Sequence, residues 1–313
     1  IFLNLFIGDY VTLLAVGSMA IDSVKTPYGK RDESIGGSAT YFSISASFFT
    51  KVSLVAVIGA DFPERELEFL ESRDIDLSGV EKKEGETFRW KGESHEDMNI
   101  AHTLDTQLNV FENFKPEIPK TFKDVDYLFL ANIDPDLQLS VLEQINSPKL
   151  VACDTMNFWI EGKNDSLMKI VSLIDILIIN DAELCSLAKE KNLLTAAKKI
   201  IKLGPSTLVV KRGEFGAMLF HDEEIFAVPA FPVENVIDPT GAGDTFAGGF
   251  MGFLTLNGMN ANNLRNAVIY GTVMASFNVE SLSYDCLKTL DKNNISERYQ
   301  KFSRLLHYDK IQV

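Results

Sequence analysis

The 313-residue sequence predicts an α/β protein, with a doubly wound, mainly parallel sheet flanked by helices and a small β-sheet lid. Three observations carry that expectation. Short apolar runs, of the kind buried on both faces of a parallel sheet, alternate with segments at helical spacing. Two polar stretches interrupt the alternation without helical patterning of their own. A glycine-rich turn ending in a single acid, Asp244, precedes an apolar helical stretch.

In chain order, residues 11–16 read as the first buried strand and 39–49 as a helix. The β-branched run 52–58 is the next strand, ended by Gly59, Ala60 and Asp61, and a helix restarts over 63–72. Strands follow at 127–131, 150–153, 176–179 and 208–210. Helical spacing covers 137–145, 165–173, 182–189, 194–203 and 261–278. Repeated βα units place ligands beyond the carboxyl ends of the strands. Gly17 with Ser18, Asn180 and Lys211 each directly follow such a strand.

The interruptions are residues 22–35, which contain Pro27 and Gly29, and residues 79–119. The second mixes Thr87, Phe88, Arg89 and Trp90 with a polar stretch from His95 to His102, then Leu108, Asn109, Val110 and Phe111. It shows strand-like alternation in two pieces. Long structureless loops are uncommon in compact domains unless functional, so both stretches are read as one inserted sheet. The chain then divides into a body (1–21, 36–79 and 116–313) and a lid (22–35 and 80–115).

A composition of 46% apolar and 24% charged residues is ordinary for a soluble protein. The 44 acidic residues outnumber the 30 basic ones, and no basic patch stands out, which argues against a nucleic-acid partner. Cys153, Cys185 and Cys286 are widely spaced and read as reduced thiols of a cytoplasmic protein. The four histidines lack metal-ligand spacing. The apolar run 1–16 is interrupted by Asp9, preceded by no basic residue and followed by no fitting cleavage site. It is expected to be neither a signal nor a membrane anchor.

The chemistry concentrates in Asp238, Pro239, Thr240, Gly241, Ala242, Gly243 and Asp244. Small residues let backbone N–H groups converge at a helix N-terminus, which suits a phosphate or an oxyanion. A carboxylate at the same spot is poised to take a proton from a substrate hydroxyl. A plain helix start, with Asp244 in a capping role, is the alternative for an isolated Gly-x-Gly-Asp.

The run resembles the second signature of the PfkB carbohydrate kinase family, the ribokinase-like sugar and nucleoside kinases. Three further elements are similar to that family's, in its order. They are Gly36 and Gly37 with Ser38, Ala39 and Thr40; Asn180 with Glu183; and Lys211 with Gly213 and Gly216. The resemblance implies a ribokinase-like fold and an ATP-dependent, Mg²⁺-requiring phosphorylation of an alcohol, most simply a primary hydroxyl on a small sugar. It makes Asp244 the general base and the N–H groups of Gly241, Ala242 and Gly243 the anion hole. Lys211, Gly213, Gly216 and Thr240 would contact the nucleotide phosphates, and Asn266 would flank the base. Asn180 and Glu183 would organise Mg²⁺ through water, the reading the motif set favours, although an isolated Asn-x-x-Glu also reads as a helix capping box.

On the acceptor side the resemblance implies Asp22, Gly36, Gly37 and Tyr41. Asp22 would accept from vicinal hydroxyls, and Gly36 with Gly37 would hinge the lid. Tyr41 departs from the pattern, standing where relatives commonly carry Asn, which weakens a ribose-type contact. Phe88, Trp90 and Phe111 on the lid, and Phe158 and Trp159, are candidates to stack on a sugar or base. Asp238 lies where some relatives bind a monovalent cation, so K⁺ is a further expected cofactor. A homodimer through exposed lid edges is an expected assembly. A nucleoside, a keto-deoxy sugar acid or a vitamin precursor remains open as acceptor, as does a non-catalytic ligand sensor. A dinucleotide-binding dehydrogenase is disfavoured, because Gly17, Ser18, Met19 and Ala20 lack the Gly-x-Gly-x-x-Gly turn.

Overall fold

The computed structural model describes residues 12–99 and 101–307. The segment 1–10 and Val11 lie outside the described residues, so the first strand is seen from Thr12 onward. The strands are β1 (Thr12–Val16), β2 (Ala20–Thr26), β3 (Gly29–Gly36), β4 (Lys51–Gly59), β5 (Ile75–Lys83), β6 (Arg89–Ser94) and β7 (Ala101–Gln107). They continue with β8 (Tyr127–Leu130), β9 (Leu150–Asp154), β10 (Ile176–Asn180), β11 (Thr207–Lys211), β12 (Ala217–His221) and β13 (Glu224–Val228). The helices are α1 (Ser38–Ala46), α2 (Glu64–Ser72), α3 (Pro135–Leu142), α4 (Asn157–Gly162), α5 (Asn164–Val171) and α6 (Asp181–Ala188). After them come α7 (Leu193–Ile201), α8 (Ala242–Asn257), α9 (Ala261–Asn278), α10 (Asp285–Thr289) and α11 (Lys292–Leu305).

The main sheet runs β13-β12-β11-β10-β9-β8-β1-β4-β5 and is parallel from β11 to β5. The β11–β12 and β12–β13 pairs are antiparallel. Successive strand residues point to opposite faces, and both faces are buried. Leu13, Ala15, Ile176 and Ile178 join the core under α1, α8 and α9. Leu14, Val16, Leu177 and Ile179 join the core under α3, α5, α6 and α7. β1 pairs with β4 on one side and with β8 on the other, so strands are added first toward one edge and then toward the other, and this switch point lies at the carboxyl end of β1.

Helix α8 is wedged between α1 and α9. A side chain on Gly248 would strike the carbonyl of Phe42, and one on Gly249 would strike Met274. Two glycines thus allow the close approach that fixes where the N-terminus of α8 emerges. Among the described residues, no helix is long and apolar enough to cross a membrane.

A separate sheet, β3-β2-β6-β7, comes from the two polar stretches. Its boundaries differ from those expected. In the first stretch the lid strands run from Ala20 to Gly36, while β5 continues along the main sheet to Lys83, past the expected boundary at residue 79. Leu108, Asn109, Val110 and Phe111 are not a strand piece. Asn109–Asn113 form a 3₁₀ turn that sets Val110 and Phe111 against the core, with the Phe111 ring 5.4 Å from Phe88 and 5.5 Å from Phe114. Burial of these apolar side chains overrides the local alternation.

The lid is tied to the body. Asp61 accepts from the Thr87 N–H and hydroxyl, both at 2.7 Å, and from Arg89 at 2.8 Å. At the far edge, β7 is exposed along its whole length.

Candidate active site

Helix α8 begins at Gly241, whose φ of +74° belongs to the left-handed region that favours glycine. A side chain there would also collide with the ring of Tyr41. The turn Pro239 to Ala242 is closed by the Ala242 N–H on the Pro239 carbonyl at 3.0 Å. That donor is therefore engaged within the turn. The N–H groups of Gly243 and Asp244 follow in the first helical turn, where no carbonyl of the same helix can pair with them.

Asp244 occupies the third position of α8 and stands partly open to solvent between two acidic clusters. Its carboxyl is pushed up to about 8, first by desolvation and then by the charge of Asp154. Lys211 opposes the rise and Asp22 adds to it. The base expected from the sequence is thus tuned close to neutral pH by its surroundings.

On one side Lys211, at the end of β11, donates to Asp154, at the end of β9, at 2.7 Å. Burial opposes the charge of Lys211, but Asp154 and Glu183 hold its pKa above the ordinary value. The same Nζ would lie 3.0 Å from a Cβ placed on Gly243, so it borders the α8 turn. Glu183 is buried and pushed up to about 7, chiefly by desolvation, with Lys211 opposing. Asn180 and Glu183 form a reciprocal capping box. The Asn180 side chain accepts from the Glu183 N–H at 2.7 Å, and the Glu183 carboxylate accepts from the Asn180 N–H at 3.0 Å. The helix-capping reading of this pair is therefore present in the geometry.

On the other side Asp22 is buried against Gly36, where a side chain would strike its carboxylate. It is pushed up to about 7 by desolvation, with the Gly37 N–H bond opposing and Asp238 adding. Gly37 has a φ of +92°, and a Cβ there would meet the backbone of Ser18. Tyr41 is buried among Asp22, Asp238 and Asp244, which with desolvation hold its phenol far above its usual range. Asp238 is fully buried; its carboxylate accepts from the N–H groups of Thr240 at 2.9 Å and Ser283 at 3.0 Å.

Most of the expected residues therefore line one crevice, with Asp244 between the two halves. Gly213 and Gly216 form the turn after β11, with φ of +52° and +86°. A side chain on Gly213 would run into Asn99 of the lid, so the lid loop reaches across to this turn. Asn266 Oδ1 accepts from the Tyr299 hydroxyl at 3.2 Å, joining α9 to α11. Among the aromatics, Trp90 donates to Thr103 within the lid and Trp159 donates to Asn132. Phe88 and Phe111 stack on each other, while Phe158 stays exposed.

Sequence reasoning missed Asp154, the counter-ion of Lys211, and Asn278, which bonds the α8 turn. Asp154 carried a usable signal, since it follows the run 150–153 as Asn180 and Lys211 follow theirs. Asn278 carried none, because it lies at the far end of α9.

The donor chemistry fits a hydrated divalent cation. Three carboxylates, Asp154, Glu183 and Asp244, share one lysine, which leaves surplus negative charge. Among the described residues no three His, Cys, Asp or Glu side chains gather to hold a metal directly.

A parallel sheet with a detached lid sheet, and an acid at a glycine-rich helix start, define a small-molecule kinase. The chain belongs to the pfkB family of carbohydrate kinases, whose family model matches residues 12–289. It is similar to a cytidine kinase of Thermococcus kodakarensis, with 31% identity over 76% of this chain and 87% of that one. The fold is shared with the crystal structure of Methanocaldococcus jannaschii nucleoside kinase (TM-score 0.75, 21% identity, 94% of this chain and 100% of that chain). It is also shared with an E. coli structure of ribokinase II type solved with ATP and Mg²⁺ (TM-score 0.78, 18% identity, 93% and 99% covered). The protein is a phosphotransferase with an alcohol group as acceptor.

Proposed function

We propose that the chain transfers the γ-phosphoryl group of ATP to a hydroxyl of a nucleoside or similar sugar-like molecule, with Asp244 as general base. The observation that carries this reading is the position of Asp244 at the start of α8, between the Asp22 half of the crevice and the Lys211 half. The 31% identity to a cytidine kinase supports a nucleoside, and cytidine is the first acceptor to test.

In this reading Asp22 and the backbone at Gly36 and Gly37 hold the acceptor hydroxyls, since an ionised carboxylate accepts from a diol. Asp244 takes the proton of the attacking hydroxyl. Gly241, Gly243 and the N–H groups of the first α8 turn face the transferred phosphoryl, with Lys211 beside them. Gly213, Gly216 and Thr240 border the nucleotide. Asn180, Glu183 and Asp154 would hold Mg²⁺ through water, and the ion would neutralise phosphate charge. Asn266 acts in this reading through helix packing. Lid closure excludes water and so suppresses hydrolysis of ATP.

The test is a purified-protein assay with ATP and a panel of nucleosides, sugars and sugar acids, with products identified by mass spectrometry. Formation of a nucleoside monophosphate supports the proposal; exclusive turnover of a free sugar overturns the nucleoside assignment.

The pH dependence follows from the raised carboxyls. A base works only when ionised, so activity must fall as pH drops through its pKa. The acidic limb of kcat/KM, which reports the free enzyme, is expected between about 7 and 8. Because Asp22, Glu183 and Asp244 interact, the limb belongs to the group and not to one residue. A limb at ordinary carboxylate pH would contradict the tuning.

A further inference from the structure

The turn that carries Gly241 and Asp244 is held from behind by Asn278, the last residue of α9. Asn278 is fully buried. Its Nδ2 donates to the Thr240 carbonyl at 2.8 Å, and its Oδ1 accepts from the Thr245 hydroxyl at 3.2 Å. One side chain thus spans the turn, gripping the residue just before Gly241 and the residue just after Asp244. The neighbouring oxygens are engaged as well. Both carboxylate oxygens of Asp238 accept from backbone N–H groups, of Thr240 and of Ser283. The Ile237 carbonyl accepts from the Thr26 hydroxyl at 2.8 Å, Pro239 from Ala242, and Gly241 from the Thr245 N–H.

A monovalent cation such as K⁺ is held by oxygens turned toward it in place of water. At Asp238 the oxygens are turned toward donors of the chain, and a donor, the Asn278 amide, points at Thr240 from the rear. Each of these oxygens already accepts a donor of the chain, so the residues fit an internally bonded turn better than the cation expected at Asp238. We infer that Asn278 is the positioning residue of the catalytic turn, and that its amide takes the place of a monovalent cation, so that turnover needs none. An amide suits this task because it offers a donor and an acceptor from one rigid plane. Buried with both ends paired, it also avoids the cost of an unsatisfied polar group.

The activity arm of the test rests on the phosphotransfer reading above. With wild-type enzyme, kcat in KCl, NaCl and tetramethylammonium chloride at equal ionic strength is expected to agree within about twofold, because no binding free energy of a cation is coupled to the turn. Asn278→Ala is expected to lower kcat by about 10-fold or more with KM for ATP and acceptor little changed, since small misplacement of catalytic groups is costly. Asn278→Asp sets a carboxylate oxygen beside the Thr240 carbonyl, and its turnover is expected to rise with K⁺ and not with tetramethylammonium.

A second readout needs no turnover. Amide hydrogen exchange over residues 238–246 is expected to be the same in KCl and in tetramethylammonium chloride for wild type, and faster in Asn278→Ala. Severalfold activation of the wild type by K⁺, K⁺-dependent protection of that segment, or an Asn278→Ala variant with unchanged kcat overturns the inference. If that variant does not fold, the wild-type cation series and its exchange pattern decide. Should no acceptor be turned over, the exchange measurement decides alone, which separates failure of this inference from failure of the proposed function.

Discussion

Asp244→Asn is expected to lower kcat by at least about 10²-fold, the scale for loss of a positioned general base. The substitution keeps the shape of the side chain, so binding of ATP and acceptor should persist while proton acceptance is lost. The same variant makes an opposite prediction for stability. The folded-state carboxyl titrates near 8, against 3.8 as its ordinary value. Between those values the unfolded chain releases its proton while the folded protein retains it, so the wild type loses stability as pH rises through that window. Asparagine is neutral throughout and removes the penalty. The variant should therefore melt above the wild type at pH 8 and level with it at pH 4. Near-normal turnover with the correct acceptor would sink the catalytic assignment, and equal melting at pH 8 would sink the charge argument.

Lys211→Met is the second large effect. It leaves Asp154, Glu183 and Asp244 without their shared counter-charge. Removing one partner of a buried pair typically costs about 3–5 kcal/mol, because the remaining charge is stranded. Here the cost depends on pH. At pH 5 Glu183 and Asp244, both raised, are already neutral. At pH 8 both are drawn toward ionisation. The destabilisation read by denaturant unfolding should consequently grow between pH 5 and pH 8. Turnover should fall by about 10²-fold, as for loss of one donor in an oxyanion hole, because Nζ borders Gly243. Equal destabilisation at both pH values would mean that the three acids do not share this lysine.

The body of the fold was legible because its strands are buried on both faces. The runs at 52–58, 127–131, 150–153, 176–179 and 208–210 leave no ambiguity of facing, and each became a strand within a residue or two. The lid was legible only as an interruption. Its strands share no common burial pattern, since β7 is exposed along its whole length while β2 is mostly buried, so their alternation along the chain is weak. Residues 108–111 were misjudged because their alternation imitates a strand, whereas Val110 and Phe111 pack on the core from a 3₁₀ turn, and the boundary at 79 fell inside β5, whose pairing only the sheet shows. The β12–β13 hairpin escaped because β13 is mostly exposed.

The sequence by itself determined the acid proposed as base and its turn. Gly241 and Asp244 are neighbours in the chain, and a local motif needs no tertiary contact to be recognised. It also determined the strand-end positions of Asn180 and Lys211, since βα alternation puts them on one edge. Only the tertiary structure decided what surrounds Asp244. Asp154 comes from β9, Asp22 from the lid, and Tyr41 from α1, separated by many residues and joined by the sheet order. Charge interactions and desolvation depend on distance in space, so the shift of Asp244 toward neutral pH could not be read along the chain. The Asn278 clamp is of the same kind: it lies 38 residues beyond Thr240 and reaches it only because α8 and α9 pack side by side.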